Sequence, residues 1–191
     1  GLPARQGQSG RFHHSMRGLS KLLEVLPAQA VPIEVAVEAL SSPEFYVRYS
    51  AAETLSKRGD LEARRALQAT LSSPSAPQRA SVAANLHHLS WFVALPMFQQ
   101  ALQDTDRRVR EGAVYALCKL HSPESDRLLL EILPNEEDLV KLAAAWGISM
   151  NLDTNWIPAL EIIYLSRDVE TRVKALELLG DTGSTQAIPI A

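Results

Sequence analysis

The sequence predicts an all-α fold, a right-handed α-solenoid of about five helix-pair repeats of 31 residues each. The first observation is a basic residue that recurs every 31 positions. The members of this basic column are Arg48, Arg79, Arg110, Lys141 and Arg172. The second observation is that apolar positions keep the same period without an insertion. The third is that no stretch alternates apolar and polar residues as a half-buried strand would.

Two apolar columns accompany the basic one. Seven positions after each basic residue stand the aliphatic side chains of Leu55, Leu86, Leu117, Ile148 and Leu179. Twelve positions before each basic residue stand Ala36, Leu67, Phe98, Leu129 and Leu160. An apolar position on either side of a polar junction predicts two helices per repeat, each with one buried face. Because such a pair cannot bury its apolar face alone, successive pairs have to stack.

The ends of the helices are marked by capping residues. In the third copy, a helix from Asp106 to Lys119 is predicted by apolar residues four apart, and Asp106 fits its start. The Ser42-Pro43 and Ser122-Pro123 pairs are typical of an N-cap followed by a first-turn proline. Gly59 is typical of a helix C-terminus.

The basic column has a structural interpretation. An acid stands four positions earlier in four of the five copies, at Glu44, Asp106, Glu137 and Asp168. An acid and a base four apart pair along one helix, and an acid in the first turn faces the positive end of the helix dipole. We therefore expect the column to stabilise the repeats rather than to contact a ligand.

The chain divides into two segments. Residues 1–16 are rich in glycine and poor in apolar residues, so we predict a flexible linker or tail there. Residues 17–191 are predicted to form the solenoid, which the sequence leaves inside the opening helix of a sixth repeat. We expect a repeat module of a longer protein.

Composition excludes several classes of protein. The 19 basic and 22 acidic residues give a net charge of −3, which argues against a nucleic-acid platform. Cys118 is the one cysteine, so no intrachain disulfide can form. No apolar run is long enough to cross a membrane. We expect a cytoplasmic protein without a cofactor or metal; its oligomeric state is not predicted.

Two segments resemble a known repeat family. Residues 106–117 (DRRVREGAVYAL) resemble the second helix of a HEAT-like repeat, and residues 178–189 (LLGDTGSTQAIP) resemble the junction into the next unit. The short period is similar to the bacterial phycobilisome-lyase type of HEAT repeat. The resemblance implies the fold over residues 17–191. Related repeats serve in bilin lyases, scaffolds, an iron-dependent hydroxylase and DNA glycosylases. The hydroxylase's His-Glu dipeptides are missing from this sequence.

Candidate catalytic chemistry is sparse. His87 and Cys118 hold equivalent positions in adjacent repeats, with His88 beside them. Neighbouring packed helices lie about 8–10 Å apart, which is too far for a thiolate–imidazole pair without both side chains reaching. We therefore predict no catalytic residue.

One stripe of the second helices carries more aromatic residues than a solvated face needs. In the third copy its positions are Arg108, Gly112, Tyr115 and Lys119, which are predicted to point away from the core. In HEAT-like solenoids the second helices line the concave surface. By that resemblance, a partner-binding groove is expected to contain Tyr46, Tyr49, Tyr115, Trp146 and Met150. The alternative is that a tightly curved array or a neighbouring domain covers them.

The leading functional hypothesis is a non-catalytic scaffold that binds another protein or a peptide through this groove. One alternative is a bilin-lyase-like, enzyme-associated subunit. The other is a HEAT-like nucleic-acid binder, which would show steeply salt-dependent affinity.

Overall fold

The repeats appear in the computed structural model as successive helix pairs. The model describes residues 18–19, 21, 23–132, 141, 165–173 and 177. Across these residues every regular element is helical and no strand forms. The α-helices are α1 (Ile33–Ala39), α2 (Phe45–Arg58), α3 (Leu61–Leu71), α4 (Ala76–Ala83), α5 (Trp91–Leu102), α6 (Arg107–Leu120) and α7 (Pro123–Ile132). Short 3-10 turns occupy Ala28–Ala30 and Leu86–His88. The predicted all-α solenoid is confirmed.

Helices α1 and α2, α3 and α4, and α5 and α6 form the first three repeats, and α7 opens the fourth. The second helices α2, α4 and α6 pack side by side, while the first helices α3 and α5 contact each other in a separate layer. The core lies between the two layers. Its largest side chains at 0 % exposure come from the two apolar columns: Leu55, Leu67, Leu86, Phe98, Leu117 and Leu129. Each such side chain contributes about 1.5–3 kcal/mol by leaving water.

Helix ends follow the capping residues closely. Asp60 caps α3 by accepting a hydrogen bond from the Ala63 backbone N–H at 2.9 Å. Gly59 ends α2 with a φ of 59°, a left-handed conformation that suits glycine. Pro123 begins α7, and the Ser122 Oγ accepts from the Ser125 N–H at 3.2 Å. The predicted N-cap at Ser42 is displaced by two residues. Glu44 is the N-cap residue, and α2 begins at Phe45 rather than at Pro43.

The arginines of the basic column repeat one geometry. In each, the guanidinium Nη1 donates to the backbone carbonyl six residues earlier, at 2.8–2.9 Å. These pairs are Arg48 with Ser42, Arg79 with Ser73, Arg110 with Asp104, and Arg172 with Ser166. Each bond therefore ties a second helix to the turn that precedes it. Hydrogen bonds from a charged group of this kind contribute about 1.5–3 kcal/mol. Lys141 is helical and half-buried.

Two of the acids that precede the column also cap their own helices. The Asp106 carboxylate accepts from the Arg108 backbone N–H at 2.9 Å, and that of Asp168 accepts from the Thr171 N–H at 2.8 Å. The hydrogen bonds from Thr171 lower the pKa of Asp168, and the charge of Arg172 lowers it further. Asp106 and Asp168 of the acid column therefore help to begin their helices.

Gly112 does not point away from the core as the helical periodicity predicts. The stripe prediction points it away from the core, but it is only half-exposed and faces α4. A Cβ placed on it would lie 3.0 Å from the Ala80 carbonyl oxygen and 3.2 Å from the Ala84 nitrogen. The prediction for this residue is wrong because the missing side chain allows α6 to approach the backbone of α4 closely. Among the described residues, no helix combines the length and apolarity that crossing a membrane requires.

Candidate functional site

An aromatic cluster stands on the first turns of α2. The Phe45 ring centroid lies 5.4 Å from that of Tyr46 in an edge-to-face arrangement and 5.8 Å from that of Tyr49. Phe45 is 55 % exposed and Tyr46 is 74 % exposed. Aromatic side chains stabilise a protein by leaving water, so rings that remain in water at one place mark a surface available for contact.

Tyr115 of α6 extends this cluster across two repeats. Burial raises the pKa of the Tyr49 hydroxyl, and the neighbouring Tyr115 phenol raises it further by charge and hydrogen bonding. The two tyrosines therefore interact, although α4 packs between their helices. The residue that corresponds to Tyr115 in the second repeat is Ala84, the C-cap of α4, which carries only a methyl group. We call Phe45, Tyr46, Tyr49 and Tyr115 the aromatic strip.

Charged side chains border the strip at the C-terminal ends of the second helices. Lys57 Nζ lies 2.6 Å from the Glu53 carboxylate, and His88 Nε2 lies 3.7 Å from the same carboxylate. Lys119 Nζ stands 5.3 Å from the centroid of the Tyr115 ring. A cation over a phenol face is attracted by the ring quadrupole, so this contact helps to fix both side chains.

The two histidines join the strip to the turn after α4. The ring centroids of His87 and His88 are 4.0 Å apart, and His87 meets Tyr115 edge-on at 6.5 Å. Burial lowers the pKa of His87 to about 4, and the nearby charge of His88 adds to the effect. Burial and then Lys57 lower the pKa of His88. Both imidazoles are therefore neutral at pH 7 and add aromatic surface rather than charge.

A cleft adjoins the same end of α2. It has a volume of about 330 Å³ and lies between residues 23–28 and the C-terminal half of the helix. Its apolar wall includes Leu23, Leu26 and Pro27, and Glu53 and Lys57 stand at its polar side. Glu53 of the cleft also faces His88, whose ring neighbours His87.

The sequence-predicted groove residues divide into two groups. Tyr46 and Tyr49 each contact Phe45, and Tyr115 is near enough to Tyr49 to raise its pKa, whereas Trp146 and Met150 fall outside the described residues. Sequence reasoning missed Phe45, which connects Tyr46 to Tyr49. The signal was available, since three aromatic residues stand within five positions at the start of α2.

The residues considered for catalysis do not form a reactive pair in the described structure. Cys118 is buried in the core at 6 % exposure, while His87 faces Tyr115 and His88. Among the described residues, no three histidine, cysteine or acidic side chains gather in a way that could hold a metal ion.

Comparisons with known families support the repeat assignment. The family model described as HEAT repeats matches residues 93–149, and the one described as PBS lyase HEAT-like repeat matches residues 47–73. No protein with a curated description matches the sequence.

Solved structures show the same fold at low sequence identity. The YibA protein of Escherichia coli superposes with a TM-score of 0.60 at 16 % identity, over 100 % of this chain and 81 % of its own. A designed armadillo repeat protein in complex with the peptide (KR)4 gives 0.52 at 17 % identity, over 93 % and 95 %. The CpcE–CpcF complex of phycocyanin lyase from Nostoc gives 0.32 at 16 % identity, over 93 % and 91 %, which establishes no shared fold.

Proposed function

We propose that the chain, of which residues 93–149 and 47–73 match HEAT-like repeat models, is a non-catalytic scaffold that binds another protein or a peptide. The observation that carries the proposal is the aromatic strip, in which Phe45, Tyr46 and Tyr115 are 55 %, 74 % and 44 % exposed. The fold alone does not select a function, so the argument has to rest on this surface.

The strip has the properties of an interface anchor. Its rings are carried by two helices that pack against α4, so they are held in place before a partner arrives. Rigid aromatic side chains lose little conformational entropy on binding and bury a large area. Tyrosine is among the residues that most often contribute the binding energy of an interface. Trp146 and Met150 remain predicted members of the same groove.

The test is a double variant, Tyr46→Ala with Tyr115→Ala. We expect it to weaken a native partner by at least about 2 kcal/mol, the level of an interface hot spot. Proteins retained from a lysate of the source organism by the wild type and by the variant would be compared quantitatively. A matched control removes two other exposed apolar side chains, Leu61 and Phe92, which are 61 % and 89 % exposed on the first helices.

The outcomes separate clearly. Loss of the same protein from the tyrosine variant, with its retention by Leu61→Ala/Phe92→Ala, supports binding through the strip. Retention of every protein by both variants overturns the assignment of the strip. Melting curves of all three proteins show whether a loss reflects unfolding.

A second candidate is a subunit of a bilin-lyase-like enzyme. The observation in its favour is the match of residues 47–73 to the PBS lyase HEAT-like repeat. Bilin added to the purified protein would then shift its absorbance, and an unchanged spectrum would remove this candidate. Nucleic-acid binding remains unfavoured on charge grounds, because the chain carries a net charge of −3.

A further inference from the structure

The short turn that follows α4 packs against helices of two other repeats. Leu86–His88 contacts α2 of the first repeat, and it also contacts α5 and α6 of the third. Leu86 is completely buried, and so is Asn85 just before it. The turn therefore connects the second helices of repeats one and three, which lie on either side of α4.

Two histidines in this turn have tightly packed rings. The ring centroids of His87 and His88 are 4.0 Å apart, and His87 meets Tyr115 of α6 edge-on at 6.5 Å. The Nδ1 atom of His87 is buried, and it makes no hydrogen bond within the described part of the chain. A protonated imidazole carries an N–H on both ring nitrogens, and each of them needs an acceptor once it has left water. This packing therefore suits uncharged rings.

The nearby cations also disfavour protonation of the pair. Burial lowers the pKa of His87 most, and the charges of His88 and Lys119 lower it further. Burial and then the charge of Lys57 lower the pKa of His88. The two lysines come from different helices, Lys57 from α2 and Lys119 from α6. A second positive charge on either ring would therefore meet cations on both sides of the turn.

Few groups favour the protonated rings. Glu53 of α2 lies 3.7 Å from His88 Nε2, but it already lies 2.6 Å from Lys57. The Ala84 backbone favours the charged form of His87. The third helix that packs against the turn, α5, contains no ionisable side chain. The balance leaves the pKa of His87 at about 4, against an ordinary value of 6.5.

We propose that the His87–His88 pair is an acid-sensitive latch, whose protonation drives the Leu86–His88 turn away from α2 and α6. Two like charges on rings 4.0 Å apart repel each other, and burial strengthens that repulsion. Opening of the turn removes His87 from the edge of Tyr115, so acid alters one end of the aromatic strip. The inference goes beyond the proposed scaffold function and does not depend on it, because the latch acts whether or not a partner is bound.

The direction of the effect follows from where the proton binds. The unfolded chain takes up a proton on His87 near pH 6.5, whereas the folded protein takes it up only near pH 4. The latch therefore contributes its full stability above pH 6.5 and loses it as the pH falls towards the folded pKa. Between about pH 7 and about pH 5, the equilibrium constant for folding should decrease at least about tenfold through this pair. Most carboxylates titrate below this range.

The experiment compares three full chains by urea unfolding and by amide hydrogen exchange at about pH 7 and about pH 5. They are the wild type, His87→Phe/His88→Gln, and His121→Asn. The double variant keeps a ring beside Tyr115 but removes both titrating groups. His121→Asn is the matched control, because it removes an exposed imidazole at a φ of 46°, a conformation that asparagine also adopts.

We expect the folding constants of wild type and His121→Asn to fall together, and that of the double variant to fall at least about tenfold less. The backbone N–H groups of His88 and Leu89 bond the Asn85 and Leu86 carbonyls at 3.3 Å and 3.0 Å. In wild type, acid should reduce the protection of these two amides against exchange more than it reduces the protection of amides within α3.

Three results would overturn the latch. The first is an equal loss of folding constant in all three chains. The second is an equal loss of protection in the turn and in α3, which would mean that acid opens the whole repeat. The third is an NMR titration of wild type in which His87 and His88 both show a pKa of 6.5 or above, a measurement that decides the question even if the double variant does not fold. None of these results bears on whether the strip binds a partner at pH 7, which the comparison of retained proteins tests separately.

Discussion

Arg79 and Asp104 join two adjacent repeats through a two-pronged ion pair. The arginine Nε and Nη2 donate to the two carboxylate oxygens of Asp104 at 2.7 Å and 2.9 Å. Arg79 belongs to α4 of the second repeat, and Asp104 lies in the turn before α6 of the third. Their side chains are only 14 % and 11 % exposed, so water screens the pair weakly.

The first prediction concerns the strength of this pair. Asp104→Asn should lower the free energy of unfolding by about 1–3 kcal/mol, because it leaves a poorly solvated guanidinium facing a neutral amide. Glu111→Gln is the matched control. It makes the same chemical change in the exposed Arg107–Glu111 pair and should cost at most about 0.5 kcal/mol. Urea unfolding curves measure both, and equal losses would contradict the prediction.

The second prediction is a pH dependence. The Arg79 hydrogen bond lowers the pKa of Asp104 below its ordinary value of 3.8, so the unfolded chain binds its proton more readily than the folded protein. This contribution to stability is complete above the unfolded pKa and is lost as pH falls through the folded pKa. Between about pH 5 and about pH 2, wild type should therefore lose more stability than Asp104→Asn. If the free energies of unfolding of wild type and Asp104→Asn fall equally as the pH is lowered, the prediction is wrong.

The third prediction concerns the contact between α4 and α6. Gly112→Ala should destabilise the protein by about 1–3 kcal/mol, because its Cβ would stand 3.0 Å from the Ala80 carbonyl oxygen and 3.2 Å from the Ala84 nitrogen. That cost exceeds the gain of about 1 kcal/mol from replacing glycine within a helix. Gly18→Ala is the control, since a Cβ there meets nothing within 4 Å. If the melting temperature rises for both variants, α4 can move far enough to accommodate the added Cβ, and the prediction is wrong.

The fourth prediction concerns the groove residues that the structure leaves undescribed. Trp146→Ala together with Met150→Ala should change the free energy of unfolding by less than about 1 kcal/mol, because we expect both side chains to face a partner rather than the core. The same pair should weaken a native partner measurably. Early unfolding of the double variant would place Trp146 in the core and remove it from the groove.

The sequence predicted the fold well because stacking repeats leave a regular signature. Leu55, Leu86 and Leu117 keep one register, and all three are 0 % exposed. The sequence predicted less of the surface, because periodicity treats all copies as equal. α4 ends at Ala83 and continues into the Leu86–His88 turn, which brings His87 to Tyr115. No spacing rule places those two rings together.

The sequence also did not predict contacts between residues that hold different positions in their repeats. The spacing of acid and base along one helix offered no partner for Arg79, because Ser75 stands four positions before it, yet Arg79 pairs with Asp104, which lies 25 residues away. Gly112 was placed on the exposed stripe because helical spacing gives only a direction. How closely the next helix approaches depends on the side chains of both helices, here Ala80, Ala83 and Ala84.

The arginine-to-carbonyl bonds bear on how the array opens. Arg48, Arg79, Arg110 and Arg172 each bond the turn within their own repeat, and Arg79 in addition bonds Asp104 of the repeat that follows. In a stacked array, bonds inside a unit let it open alone, and bonds between units make them open together. Repeats two and three should therefore exchange their amide hydrogens as one cooperative block. A partner that contacts both Tyr46 and Tyr115 would link the first repeat to that block. Amide hydrogen exchange in the first repeat should then slow as well.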